Sequence, residues 1–273
     1  MAVKLPVSSR RTVLKGAVGL FGLTNLSRTA SAAFPAWSDW KDLLNMLPAE
    51  APLTTARVAV GLPATSFTVQ KIEAASSTKA NMDRYSVKIT KLPTGTTAQK
   101  LFNDMRQKLN DFFDHETSTV AGYTTADDSK WSVAGKAPLG AIMLFKIPVL
   151  GPIGEQAAVI TSIAEDARWI FTPVKIGFAC PGEHPVSGNR EFGWKAIGNA
   201  FEFYTRAVDR TTGICLGMGG EETTYNGGDA LWRSWQAKLV TYVEHHGGQA
   251  VANAPVIFRP TWTEVKASRL FMR

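Results

Sequence analysis

The densest run of residues able to do chemistry lies between positions 184 and 210. It contains His184, Arg190, Glu191, Arg206, Asp209 and Arg210. An imidazole beside an acid can move a proton. A guanidinium can hold a carboxylate or phosphate through paired N–H bonds. The candidate ligand-binding residues are therefore His184, Arg190, Arg206 and Asp209. Each also has a plainer role. His184 precedes Pro185 and reads as a turn histidine bonded to a nearby carbonyl. Glu191 and Arg206 read as a cross-strand ion pair on the solvent face. Arg190 is an anion holder at the mouth of an apolar pocket or a salt bridge to Asp209 or Glu183.

Other chemistries lack their motifs. There is no G-x-S-x-G elbow, no H-E-x-x-H and no P-loop. Gly217-Met218-Gly219-Gly220 is glycine-rich but is not followed by Lys-Ser/Thr. His245-His246 ends a helix, where an imidazolium suits the dipole. No metal site and no cofactor are expected, since neither Cys180 nor Cys215 has a second ligand at finger spacing. In an oxidising compartment the two cysteines are a disulfide candidate. Two buried thiols are the alternative.

The elements that position these residues are legible in part. Gly198-Asn199 makes a two-residue turn within a hairpin from Asn189 to Val208. With Ile197 opposite Ala200, Lys195 faces Glu202, Glu191 faces Arg206, Trp194 faces Phe203 and Phe192 faces Thr205. That register sorts charge pairs to one face and aromatic pairs to the other, and a one-residue slip destroys both patterns. Arg190 then falls on the apolar face, opposite Ala207.

Elsewhere, Trp37 to Met46 has helical spacing, and Arg84 to Ile89 alternates as a strand does. Thr96 to Asp114 is an amphipathic helix, with Thr96 and Gln99 as its capping box. His115 to Pro138 is polar and loop-like. Strands follow at Ala141 to Ile147, Ala157 to Ile163 and Trp169 to Phe178, the last broken or bulged at Pro173. Gly213 to Gly228 reads as a loop, and Asp229 as the cap of a last long helix, Ala230 to His246, ended by Gly247-Gly248. The tail holds one strand signal, Val256 to Phe258.

A strand, a helix, several antiparallel strands and a long helix make an α+β arrangement, a curved antiparallel sheet packed against the C-terminal helix. That order resembles the helix-grip fold of START-like lipid-binding domains. A second resemblance is local. Val174 to Phe178, then Gly182-Glu183-His184-Pro185-Val186-Ser187-Gly188, then Asn189 to Phe192, is similar to an uncharacterised bacterial START-like family with a G-x-H-P-x-x-G turn. It implies a fold and no catalytic residue.

The first 32 residues read as an export address. Arg10-Arg11, a glycine-diluted apolar run from Ala17 to Leu26, and Ala30-Ser31-Ala32 give the charged, apolar and cleavage regions in order. The arginine pair resembles the twin-arginine signal of bacteria, with Val13 in place of the usual phenylalanine. The apolar run is too short to span a bilayer. The implied partner is the twin-arginine translocon, and the implied location is periplasmic or secreted. The whole chain carries 30 basic and 23 acidic residues. Five of the basic residues lie in the address and no acid does, so the remainder is close to neutral. Nothing in that balance points to nucleic acid.

The expected organisation is a signal at 1–32, an extension at 33–63, a START-like domain at 64–250 and a tail at 251–273. No membrane span is expected after cleavage. The expected function is binding of an apolar or amphipathic small molecule. The alternatives are an interaction or structural protein with a filled core, and an exported enzyme using His184 with Arg190 or Asp209.

Overall fold

The structure is a computed structural model. It describes residues 37–48, 54, 67–115, 118–136, 138–147, 155–176, 183–212 and 220–272. The export address, Cys180, Cys215, Gly182 and the glycine stretch 213–219 lie outside the described residues.

One antiparallel sheet organises the chain. Its long path is built from β2 (Asn81–Lys91), β3 (Thr119–Gly122), β4 (Ile142–Ile147), β5 (Glu155–Ala164), β6 (Arg168–Ile176), β7 (Val186–Ile197) and β8 (Ala200–Thr211). From β3 to β8 each strand pairs with the next, and β8 then returns to lie beside β2. The segment between β2 and β3 carries helix α2 (Ala98–Gln107) and a 3-10 turn, Leu109–Phe112. The long helix α4 (Gly220–His245) follows β8 and buries Trp232, Trp235, Leu239 and Val243 against the sheet. The α+β class expected from the element order is thus the observed one. Short strands complete the edges. β1 (Phe67–Val69) pairs with the end of β6, while β9 (Gln249–Ala252) and β10 (Val256–Phe258) both pair with β2.

The β7–β8 register is the expected one at every position, from Ile197 opposite Ala200 to Arg190 opposite Ala207. The inner face is an aromatic core. Trp169 stacks on Phe192 at 4.6 Å between ring centroids, and Phe102 lies 4.8 Å from Trp169. Trp194 is only half-buried and stacks on the buried Phe203.

The outer face is not a solvent face. Its Met82, Ile170 and Val208 are covered by Trp40, Leu43 and Leu44 of the N-terminal piece and by Trp262 and Val265 of helix α5 (Trp262–Ala267). This corrects the expectation for Glu191. Its carboxyl is buried, accepts from Tyr204 Oη at 2.7 Å and from Arg206 Nε at 3.1 Å, and Arg206 in turn reaches Asp42 at 2.7 Å. Asp42 belongs to helix α1 (Lys41–Asn45), so the ion cluster helps fasten the N-terminal piece to the sheet. Buried Asn189 does the same, donating to the carbonyls of Leu43 and Met46.

Four local expectations change. The cap of α2 is Thr97, which accepts from the Lys100 amide, while Gln99 turns aside to the carbonyl of Asp166. The polar stretch after His115 forms β3 and helix α3 (Thr125–Trp131), with a capping box between Thr124 and Asp127. Its acids serve the backbone: Asp127 accepts from the Ile142 amide and Asp128 from that of Gly122. Pro173 does not break β6. It stands where the strand loses β7 and gains β1, which tolerates the missing N–H. The bulge lies instead at Thr161/Ile163 of β5. Finally, α4 begins at Gly220, so Asp229 lies inside it and accepts from Tyr85 Oη at 2.9 Å instead of capping the helix.

Candidate functional site

The inner face of the sheet is apolar along most of its length and turns polar at one end. Strand alternation sends Tyr85, Val87 and Ile89 of β2 inward, and continuing the same face brings Asp83. Asp83, Ala207 and Arg190 lie in one row across β2, β8 and β7. Asn81, Asp209 and Gly188 form the next row. The small side chain of Ala207 leaves room for its larger neighbours to meet above it. Arg190 Nη2 binds both oxygens of Asp83, at 2.8 and 2.9 Å. Its Nη1 donates to Thr205 Oγ1 at 3.2 Å, and its guanidinium lies 4.1 Å from the ring centroid of Trp232 on α4.

Gly188 is required where it stands. Its φ is +142°, and a Cβ there would come within 2.1 Å of the Val208 carbonyl oxygen. The missing side chain also leaves the space opposite Asp209 clear. Asp209 is buried, 4.0 Å from Arg190 and 3.4 Å from the amide of Asn81. Asn81 also donates to Asp83 at 2.8 Å. Burial, together with the negative charge of Asp83, pushes the Asp209 carboxyl up to about 7.

His184 sits at the same end. Its carbonyl accepts from Gln70 and Thr212, and its amide donates to Gln70. The ring Nδ1 is 3.0 Å from the Val186 carbonyl and 3.2 Å from the Val186 amide. The turn role expected of it is therefore present. Burial, aided by the charge of Arg190, lowers the imidazole to about 4, so it is neutral at ordinary pH.

These residues close one end of a cavity of about 290 Å³ between the sheet and the first half of α4. Phe145, Val159, Phe171, Leu231 and Trp232 form much of its apolar wall. A small number of convergent polar groups in a mostly apolar hollow is the usual form of a small-molecule site. His184, Arg190 and Asp209 all line it. Arg206 does not: it points to the opposite face of the sheet, where Glu191 and Asp42 engage it. Glu183, one of the partners considered for Arg190, pairs with Lys175.

No protein-family model and no curated protein matches the chain. Among solved structures it is similar to Ara h 8.0201, at a TM-score of 0.37 and 8% identity over 59% of this chain and 99% of that one. It is also similar to the di-domain ARO/CYC StfQ from the steffimycin biosynthetic pathway, at 0.38 and 8% over 60% of this chain. That second match spans 51% of the StfQ chain, about half its length. Likenesses this distant carry nothing about function, and the fold class above rests on the strand order and the helix.

Sequence reasoning missed Asp83 and Asn81, the two groups that decide the electrostatics. The signal was present: they continue the alternation of Tyr85, Val87 and Ile89 with polar residues, which marks where an apolar face ends. Among the described residues no three His, Cys, Asp or Glu side chains are grouped so as to hold a metal. No helix among them is long and apolar enough to cross a membrane.

Proposed function

We propose that this chain is an exported binding domain that holds an apolar or amphipathic small molecule between its sheet and its long helix. The observation that supports it is the cavity of about 290 Å³, apolar along its walls and polar at one end. A core built only for stability would close such a space, since an unfilled cavity costs stability in proportion to its volume. Export is read from the arginine pair and the A-x-A site, and it would place the domain in the periplasm or outside the cell.

The test is a native mass spectrum of the mature protein taken from the periplasm. The expected result is a mass above that of the chain, lost on denaturation and reduced in Leu231→Trp, which fills the cavity from the helix side. A chain that carries nothing, and whose thermal midpoint no apolar compound raises, overturns the binding reading. Export has its own test. Changing Arg10 and Arg11 together to lysine should leave precursor in the cytoplasm, and the mature protein should begin at or next to Ala33. A mature N-terminus at Met1 overturns it.

A second reading, an exported enzyme, draws on Asp209. A carboxyl that titrates near neutrality is what general acid catalysis requires. Turnover abolished by Asp209→Asn with binding intact would favour it.

A further inference from the structure

The polar end of the cavity has a charge balance that restricts what can bind there. Two carboxylates, Asp83 and Asp209, face one cavity guanidinium, Arg190. Both oxygens of Asp83 contact one nitrogen, Nη2, of Arg190, and Nη1 donates to Thr205, so the guanidinium is already engaged within the protein. The other cation nearby is Arg259, which lies beyond β10, donates to Asn81 Oδ1 at 3.3 Å and is paired with Glu222. Among the described residues, Tyr225 of α4 and neutral His184 complete the titratable groups around Asp209. Counting these groups leaves one negative charge in excess when Asp209 is ionised.

Asp209 is also under-used. Among the described residues its carboxyl receives one long hydrogen bond, the 3.4 Å contact from Asn81, although a carboxylate can accept several. It is more than nine-tenths buried and lines the cavity. The carboxylate therefore keeps spare acceptor capacity on the side that lines the cavity.

We propose that the cavity takes a protonated amine on a hydrophobic body, bound through Asp209, and rejects carboxylates. The inference rests on the binding reading above and names its ligand class. An ammonium would use that acceptor capacity and cancel the excess charge. Aromatic walls, Trp232 and Phe171 among them, suit both its body and its charge. A carboxylate would meet Asp209 directly, with Arg190 already occupied.

The test is titration calorimetry of the mature protein with n-decylamine, n-decanoate and n-decanol, three probes with one body and different heads. Decylamine should bind at least about tenfold more tightly than decanoate at pH 8. Asp209→Asn should abolish most of that advantage and leave decanol unchanged. The wild type gives an independent check. An alkylamine stays charged between about pH 5.5 and 8.5, as a lysine side chain does, so decylamine affinity should rise several-fold as Asp209 ionises across that range. Decanoate binding as tightly as decylamine, an amine preference unmoved by Asp209→Asn, or amine affinity flat with pH would each overturn the inference. Decanol binding would survive any of these outcomes and keep the pocket. Failure of all three probes overturns the pocket reading, and this inference with it.

Discussion

Arg190 and Asp83 form an ion pair across a strand that belongs to neither of them. β8 runs between β2 and β7, and the pair closes above Ala207, whose single methyl is low enough to pass beneath it. Asp83 is buried and Arg190 largely so, on the inner face at the boundary between aromatic core and cavity. Removing Arg190 would leave Asp83 charged without its counter-ion, whereas removing Asp83 would leave Arg190 with Asp209 4.0 Å away.

Arg190→Met should therefore lower stability by about 3–5 kcal/mol, the usual cost of stranding a buried charge. Asp83→Leu should cost less, because Asp209, 4.0 Å from Arg190, remains to offset its charge. The double variant Arg190→Met/Asp83→Leu should recover much of the loss, because an apolar pair leaves no charge behind. Denaturant unfolding of the four proteins checks this. Additive losses would mean that the two residues act independently.

Glu191 provides a second test of which charges matter. It is buried beneath the N-terminal piece, with Arg206 and Tyr204 as partners. Glu191→Ala should cost about 3–5 kcal/mol and loosen residues 37–46, visible as faster hydrogen exchange there. The half-exposed Arg84–Glu202 pair is the control, and its loss should cost under about 1 kcal/mol. Equal effects would place Glu191 at the surface after all.

That contrast shows where sequence was sufficient and where it was not. The β7–β8 hairpin was legible to the residue, since Gly198-Asn199 fixed the turn and two side-chain patterns fixed the register. Which face was covered was not, because the cover comes from Trp40, Leu43 and Trp262, far away at both ends of the chain. Arg190 could be placed on the inner face from its own hairpin. Its partner Asp83 lies 107 positions away on β2, and only the return of β8 to β2 brings them together. The start of α4 was hidden for a local reason. Gly227-Gly228 reads as a loop, yet both residues are helical, held by a helix that packs on either side of them.

The site should also write itself into the pH dependence of stability, with two opposed contributions. The Asp209 carboxyl is raised from 3.8 to about 7 in the folded protein. Its contribution is therefore fully present below the unfolded value and is lost as pH rises toward 7. The His184 imidazole is lowered from 6.5 to about 4. The unfolded chain binds that proton more readily, so this contribution grows as pH rises through the same window. In the wild type the two contributions oppose each other across that window. Asp209→Asn should unmask a stability that rises with pH there, and His184→Gln one that falls. Urea midpoints across that range decide it. Parallel curves for all three proteins would mean that neither group is perturbed.

Two glycines in α4 and one in β7 make opposite predictions from the same substitution. Gly227 and Gly228 line the cavity mouth inside a helix, and a Cβ at either would meet nothing within 4 Å. Glycine in a helix interior costs about 0.5–1 kcal/mol relative to alanine. Gly227→Ala and Gly228→Ala should each raise stability by about that amount, without changing the fold. Gly188→Ala should do the reverse, because its φ of +142° suits glycine alone and the new Cβ would strike the backbone of Val208. A loss of about 3 kcal/mol or more is expected there, together with displacement of Asp209, its partner across the strands. Thermal midpoints of the three variants are the measurement. A lower midpoint for Gly228→Ala would show that the helix over the cavity bends at this point, and that its glycines are kept for that bend at the expense of stability.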